Sequence, residues 1–197
     1  MGSACHLFGS EIGGELVDMR YNRLPMGPPQ VPTGVPRVGE TTMAIALTLQ
    51  RYLESRDIRY DVIVHQPTMT ARQTARTCEI PADHLAKAVL MRDGQGCVVA
   101  VLPASCQVQK AQLWRLLHRP VELASEDDAD RLFGDCARGA IPALSQAYGV
   151  ETIVDDRLDR APEIWLEAGD HERLVHLSGE QFHTLMATAR HGSFAHA

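Results

Sequence analysis

The chain has 197 residues, of which 45% are apolar and 22% charged, and a formal net charge of −6 at pH 7. These values suit one globular domain with a core of its own, and they argue against a protein that coats DNA or RNA, because such binding rests on neutralising many phosphates. No apolar run reaches the length of a membrane span and the N-terminus lacks the basic-then-apolar pattern of a secretion signal, so a cytoplasmic protein with no membrane partner is expected.

The five cysteines, Cys5, Cys78, Cys97, Cys106 and Cys136, are odd in number, widely spaced and without a C-x-x-C pair. That pattern excludes a disulfide scaffold or zinc ribbon and predicts free thiols in a reducing compartment. Residues 1–42 contain MGPPQVPTGVPRVGE (26–40), rich in proline and glycine and without periodicity. Such a composition does not bury enough apolar surface to fold alone, so residues 1–42 are expected to be a flexible or non-native extension. The domain is expected over 43–192, followed by a short tail over 193–197.

From Met43 the predicted elements alternate. Apolar residues at helical spacing predict a helix over 45–56, and the β-branched run YDVIV a strand over 60–64. Thr70 with Gln73 reads as the cap of a helix over 71–78. Two apolar runs, 86–91 and 97–102, flank Asp93-Gly94-Gln95-Gly96 and predict a hairpin. A helix over 109–117 and a short strand over 121–123 follow. Ser125 with Asp128 caps a helix to about Phe133. The stretch GDCARGAIPALSQAYG (134–149) has no clear period. Strands are predicted over 150–154, 164–166 and 174–177, and Ser178 with Gln181 caps a last helix to about Ala189. The expected fold class is α/β (α+β), a single domain with a mixed central sheet and surrounding helices.

Among candidate sites, Cys136 with His171 is one conceivable thiolate–imidazole nucleophile, but no nucleophile elbow or helix N-terminus supports it. His171 and His176 flank a strand at a spacing that sends them to opposite faces, so they do not form a chelate and no metal is expected. Nucleotide-loop signatures are absent, and no cofactor is expected. Three features converge better. Lys87, one of two lysines against 17 arginines, lies in the apolar run HLAKAVLM on the same strand face as Val89 and Met91. It is read either as a lysine laying its methylenes along the surface or as a charge that meets an anion. Arg138-Gly139-Ala140-Ile141-Pro142 forms a loop in which a glycine lets backbone approach a ligand. Glu167-Ala168-Gly169-Asp170-His171 is a turn that lifts an imidazole off a strand end.

The ordered set HQPTMTARQTA, HLAKAVLM, VVAVLPAS, GAIPAL, TIVDD and EAGDHERLVHLS resembles the YbaK-like family of aminoacyl-tRNA editing domains, also found inserted in bacterial prolyl-tRNA synthetases. The resemblance covers about residues 45–190. It implies the fold of that family and the hydrolysis of a mischarged aminoacyl-tRNA ester by a free-standing deacylase, without metal or cofactor. Alanine or cysteine on proline tRNA would be the substrate, with an aminoacyl-tRNA synthetase as a further partner. By the same resemblance Lys87, Gly139, Pro142 and His171 would be catalytic. Thr68, Thr70, Arg138, Ala140, Ile141 and Asp155 would bind substrate.

The chain departs from the family at Arg138, where the Gly-x-x-x-Pro loop begins with glycine. Pointing outward, this arginine would bind a tRNA phosphate; pointing inward, it would narrow the pocket. Residues 43–197 carry 16 Lys and Arg against 21 Asp and Glu, which suits a protein that grips only the acceptor end. Two other readings stay open: a binding module of the same fold that no longer hydrolyses, and a small-molecule thiol hydrolase using Cys136.

Overall fold

In the computed structural model, which describes residues 45–197, the helices are α1 (Leu47–Glu54), α2 (Ala71–Thr77), α3 (Lys110–Leu117), α4 (Glu126–Leu132) and α5 (Gly179–Met186). The strands are β1 (Asp61–Val64), β2 (Leu85–Asp93), β3 (Gly96–Pro103), β4 (Gln107–Val108), β5 (Glu122–Leu123), β6 (Glu151–Asp155), β7 (Glu163–Glu167), β8 (Arg173–Ser178), β9 (Arg190–Gly192) and β10 (Ala195–His196). The extension expected over 1–42 lies outside the described residues. Among the described residues no helix is long and apolar enough to cross a membrane.

β3 organises the core because its sequence is apolar on both faces, as a strand covered on both sides requires. Val99 and Val101 face one layer, where Leu49 and Leu53 of α1 and Phe182, Leu185 and Met186 of α5 pack. Val98, Ala100 and Leu102 face the other, against Leu113 and Leu117 of α3. A smaller cluster joins Ala75 of α2 to Leu85, Trp165 and Leu174. The sheet order is β1-β8-β7-β2-β3-β6-β9, with β5 added beside β2. β2·β7, β3·β6 and β6·β9 are parallel, whereas β1·β8, β7·β8, β2·β3 and β2·β5 are antiparallel. The fold is therefore α+β with a mixed sheet, as expected.

Local chemistry places the helix starts. Thr70 caps α2 by accepting from the Gln73 N–H, and Ser125 and Ser178 form reciprocal capping boxes with Asp128 and Gln181. Each satisfies backbone donors that a helix start leaves free, an effect of about 1 kcal/mol apiece. The expected tail is a correction: residues 193–197 belong to the domain. Phe194 is fully buried, and Ala195–His196 form β10, antiparallel to β4.

Candidate active site

The site begins as a gap in the sheet. β2 and β7 run side by side but pair only at Leu85–Trp165 and Ala86–Leu166. On that same edge β2 next pairs with β5, at Met91 and Arg92. Between these points the backbone at Lys87–Val89, paired with β3 on its other edge, has no strand on this edge, and a cleft of about 150 Å³ opens there. Divergence of neighbouring strands exposes strand ends and backbone together, which is why such points so often hold ligands.

One wall comes from the start of α2. Thr74 Oγ donates to the Thr70 carbonyl at 3.1 Å, so its single hydrogen is committed. The 2.7 Å contact between the Thr68 and Thr74 hydroxyls is therefore donated by Thr68, whose oxygen keeps its accepting lone pairs. Thr70 lines the same wall, but its hydroxyl serves the helix cap.

Lys87 forms the floor, half-buried, with Nζ donating to the Cys106 carbonyl at 2.5 Å. Burial, followed by the nearby Arg72 guanidinium, pushes its pKa below the ordinary 10.5, while the Cys106 side chain acts the other way. Among the described residues no carboxylate pairs with it. Arg72 leans on the same turn: its Nε donates to the Ala104 carbonyl at 3.3 Å and its guanidinium also bonds the Ser105 carbonyl. Lys87 in the lining and Arg72 just outside it are thus two neighbouring cations, each held by neutral carbonyls.

The opposite wall is two turns locked together. Ala140 N–H donates to the Ala137 carbonyl at 2.9 Å, closing a turn in which Gly139 has φ +83°. Ala137 N–H donates to Gly169 at 2.7 Å. Gly169 has φ +110°, and a Cβ there would lie 2.8 Å from Ala46 Cβ and 3.1 Å from Cys136 Sγ, so only glycine fits. One Glu167 oxygen accepts the N–H groups of Gly169, Asp170 and His171, at 3.3, 3.4 and 3.0 Å. That nest holds His171 at φ +65°, an uncommon conformation for a side-chain-bearing residue. The His171 Nε2 lies 2.8 Å from the Arg138 carbonyl. A carbonyl only accepts, so Nε2 carries the hydrogen and, in the neutral ring, Nδ1 is an acceptor.

Thr68, Thr70, Lys87, Gly139, Ile141 and His171 therefore meet in one cleft. The other sequence candidates do not. Ala140 and Pro142 are buried beneath the lining, and the Pro142 carbonyl accepts from Ser145 Oγ at 2.8 Å. Arg138 contributes its backbone only. Its side chain is 62% exposed and points outward, with Nε and Nη2 at 3.2 and 2.9 Å from Asp130 Oδ2. The inward alternative is not what the side chain does, and both its donors meet one carboxylate oxygen of its own chain.

Asp155 is the clearest correction. It sits on β6, separated from β2 by β3, and is 1% exposed. Its Oδ2 accepts from the N–H groups of Phe194 and Ala195 at 2.8 and 2.7 Å, and Oδ1 from Arg157 N–H at 3.1 Å. Asp155 anchors the C-terminal strand; it does not reach the cleft. Cys136 is also not a nucleophile in waiting: burial pushes its thiol up to about 11, and its sulfur lies 3.2 Å from the Tyr148 hydroxyl.

Sequence reasoning missed the roles of Glu167, Thr74 and Arg72. Glu167 stood in the quoted turn, where a carboxylate two to four residues before free N–H groups was the available signal. Nothing local marks Arg72, which is drawn toward Lys87 through contacts 32 and 33 residues away.

Residues 65–185 match the family described as the aminoacyl-tRNA editing domain. No curated protein matches the chain. Among solved structures, one described as "a putative trans-editing enzyme for prolyl tRNA synthetase" is 19% identical, with a TM-score of 0.69 over 80% of this chain and 100% of its own. Another, "hypothetical protein APE2540", is 17% identical, with a TM-score of 0.68 over 76% of this chain and 99% of its own. At such identities the likeness is one of fold. The family match is broader in meaning, since it spans more than half the chain and takes in every wall of the cleft. The chain belongs to the aminoacyl-tRNA editing domain family.

Proposed function

We propose that the β2–β7 cleft hydrolyses the ester joining a small amino acid to the 3′-terminal ribose of a mischarged tRNA. The observation that carries this reading is the cleft itself: a carbonyl-held lysine in its lining, with Arg72 behind it, and an oriented imidazole opposite, inside the region matched to the editing family. A space of about 150 Å³ suits a group of roughly benzene size, about six heavy atoms, as alanyl, seryl and cysteinyl groups have. Alanine or cysteine on proline tRNA is the pairing the family resemblance favours, and a synthetase would supply the broad tRNA contact that the acidic surface does not.

In this reading Lys87, with Arg72 beside it, holds the terminal phosphodiester. A compact ammonium suits a phosphate that must be placed without being clamped. Water attacks the ester carbonyl carbon, the carbon–oxygen bond to the ribose breaks, and the water's proton ends on the ribose oxygen, releasing amino acid and tRNA. Among the described residues the N–H groups of Gly139 and Ile141 have no acceptor in the chain, whereas that of Ala140 is committed to Ala137. In this reading the first two polarise the carbonyl. His171 Nδ1 and the Thr68 oxygen accept hydrogen bonds from the water or the substrate's ammonium. The rate then rests on positioning and polarisation, with no covalent intermediate.

The test is release of amino acid from tRNAs mischarged with alanine, serine, cysteine, leucine or phenylalanine. Faster release of the three small residues is expected. Release no faster than the uncatalysed rate from every substrate would contradict the proposal, and binding without release would identify a recognition module instead.

A further inference from the structure

A second group of ligating side chains lies at the other edge of the sheet, where β9 follows β6 and the cleft is separated by β3 and β6. It is built from the turn after β6 and the start of β9. Asp156, Asp159 and His191 each bring one ligand atom within 4.8 Å of the others. His183 flanks this group without belonging to it, its Nδ1 lying 3.7 Å from Asp159 Oδ1.

The hydrogen-bond roles in this cluster leave a charge unaccounted for. His183 Nε2 is 2.8 Å from the Asp159 carbonyl, and His191 Nε2 is 3.2 Å from the Met186 carbonyl. Carbonyls only accept, so in both rings Nε2 carries the hydrogen. In the neutral rings both Nδ1 lone pairs then face the Asp159 carboxylate, His191 Nδ1 at 3.2 Å from Oδ2 and His183 Nδ1 toward Oδ1. Asp159 Oδ1 is itself buried and without a hydrogen-bond partner. Lone pairs converging on a carboxylate repel unless positive charge sits among them. Two imidazolium rings on one carboxylate would supply it; so would a single divalent ion with both rings neutral.

Three features favour the ion. The His191 imidazole is oriented by a backbone carbonyl on the nitrogen away from the cluster, the arrangement that metal-ligating histidines adopt. Asp156 adds a further carboxylate, oriented by Ser193 Oγ at 2.8 Å from its Oδ2. The 3.2 Å separation of His191 Nδ1 and Asp159 Oδ2 is close to the edge of a tetrahedron with bonds of about 2.0–2.1 Å, roughly 3.3 Å. We propose that Asp156, Asp159 and His191 bind one divalent transition-metal ion of the Zn²⁺ class, a set of one nitrogen and two carboxylate oxygens suited to that borderline cation, with His183 flanking Asp159. The ion is structural: it ties the β6 turn to β9, remote from the cleft. In sequence the ligands are only Asp-x-x-Asp and one histidine 32 positions on, which match no zinc signature.

The experiment uses the full chain, stripped with a chelator, kept reduced without thiol reagents and titrated with Zn²⁺ at about pH 7.5, where neutral imidazoles ligate. Calorimetry should show one ion per chain, and thermal unfolding should shift upward with added Zn²⁺. His191→Ala should weaken binding about tenfold or more, while Cys136→Ala leaves it unchanged. Because Asp159→Asn risks misfolding, His191→Gln serves as the second variant and should behave as His191→Ala. No saturable binding up to about 100 μM Zn²⁺ would overturn the proposal and leave a proton-held pair. Binding equal to wild type in both His191 variants would also overturn it, by placing the ion on the cysteines.

Discussion

Lys87 and Asp155 lie on opposite sides of β3, both charged and both drawn into the sheet, yet they are held in different ways. Asp155 accepts three backbone N–H groups and is sealed from solvent. Lys87 donates to one neutral carbonyl on the floor of a cleft and has no carboxylate partner among the described residues. A buried charge with all its hydrogen bonds made inside the chain belongs to the fold; one with spare capacity facing a cleft is available to a ligand. The difference separates two residues that the family resemblance had placed in one site, Lys87 as catalytic and Asp155 as substrate-binding.

The largest effect should follow from breaking the satisfied side. Asp155→Ala strands the Phe194 and Ala195 N–H groups, at about 1–3 kcal/mol each. A fall in Tm of about 6–12 °C is expected for a loss near 3 kcal/mol in a chain of this size, with kcat per folded molecule unchanged. An unchanged Tm with abolished deacylation would return Asp155 to the active site and dissolve the comparison.

Arg138 tests the same distinction at the surface. Its guanidinium is exposed and already paired with Asp130, so it neither fills the cleft nor stands free for a phosphate. Arg138→Ala should change kcat/KM by no more than about twofold, since surface pairs of this kind carry little. A uniform loss of tenfold across all charged tRNAs would show that the arginine leaves Asp130 for the substrate.

Cys136 should give the smallest effect. Its activity on substitution to alanine should stay within about twofold, because water, not sulfur, attacks. With its thiol pushed up to about 11, about one molecule in a thousand is thiolate at pH 8. Alkylation should therefore be slow and should quicken about tenfold per pH unit as pH rises toward that value. Rapid alkylation at neutral pH, or an acyl group trapped on Cys136, would revive a thiol mechanism.

Much of this was legible in the sequence, for definite reasons. The hairpin around Gly94-Gln95, the Thr70, Ser125 and Ser178 caps and the doubly apolar β3 are local signals, and each falls where its chemistry predicts. β4, β9 and β10 are only two or three residues long, too short for any periodicity to mark them. That brevity put the boundary at 192 and hid the reason for Asp155, whose partners lie 39 and 40 residues away. In the site, Lys87, Gly139, Ile141 and His171 were found because a strand and two glycine turns position them. Thr74, Glu167 and Arg72 were missed because their part depends on which strand diverges from which. The direction of Arg138 was likewise set by α4, through Asp130, not by its own loop.

The most direct test of the central claim is Lys87→Ala measured on two substrates. On a mischarged tRNA the change should lower kcat/KM about tenfold or more, 1.4 kcal/mol or above in transition-state terms. On the same amino acid esterified to adenosine, which lacks the phosphodiester, it should make little difference, and Tm should barely move. Equal activity of Lys87→Ala and wild type on the tRNA would contradict the assignment of the β2–β7 cleft as the place where the ester is held.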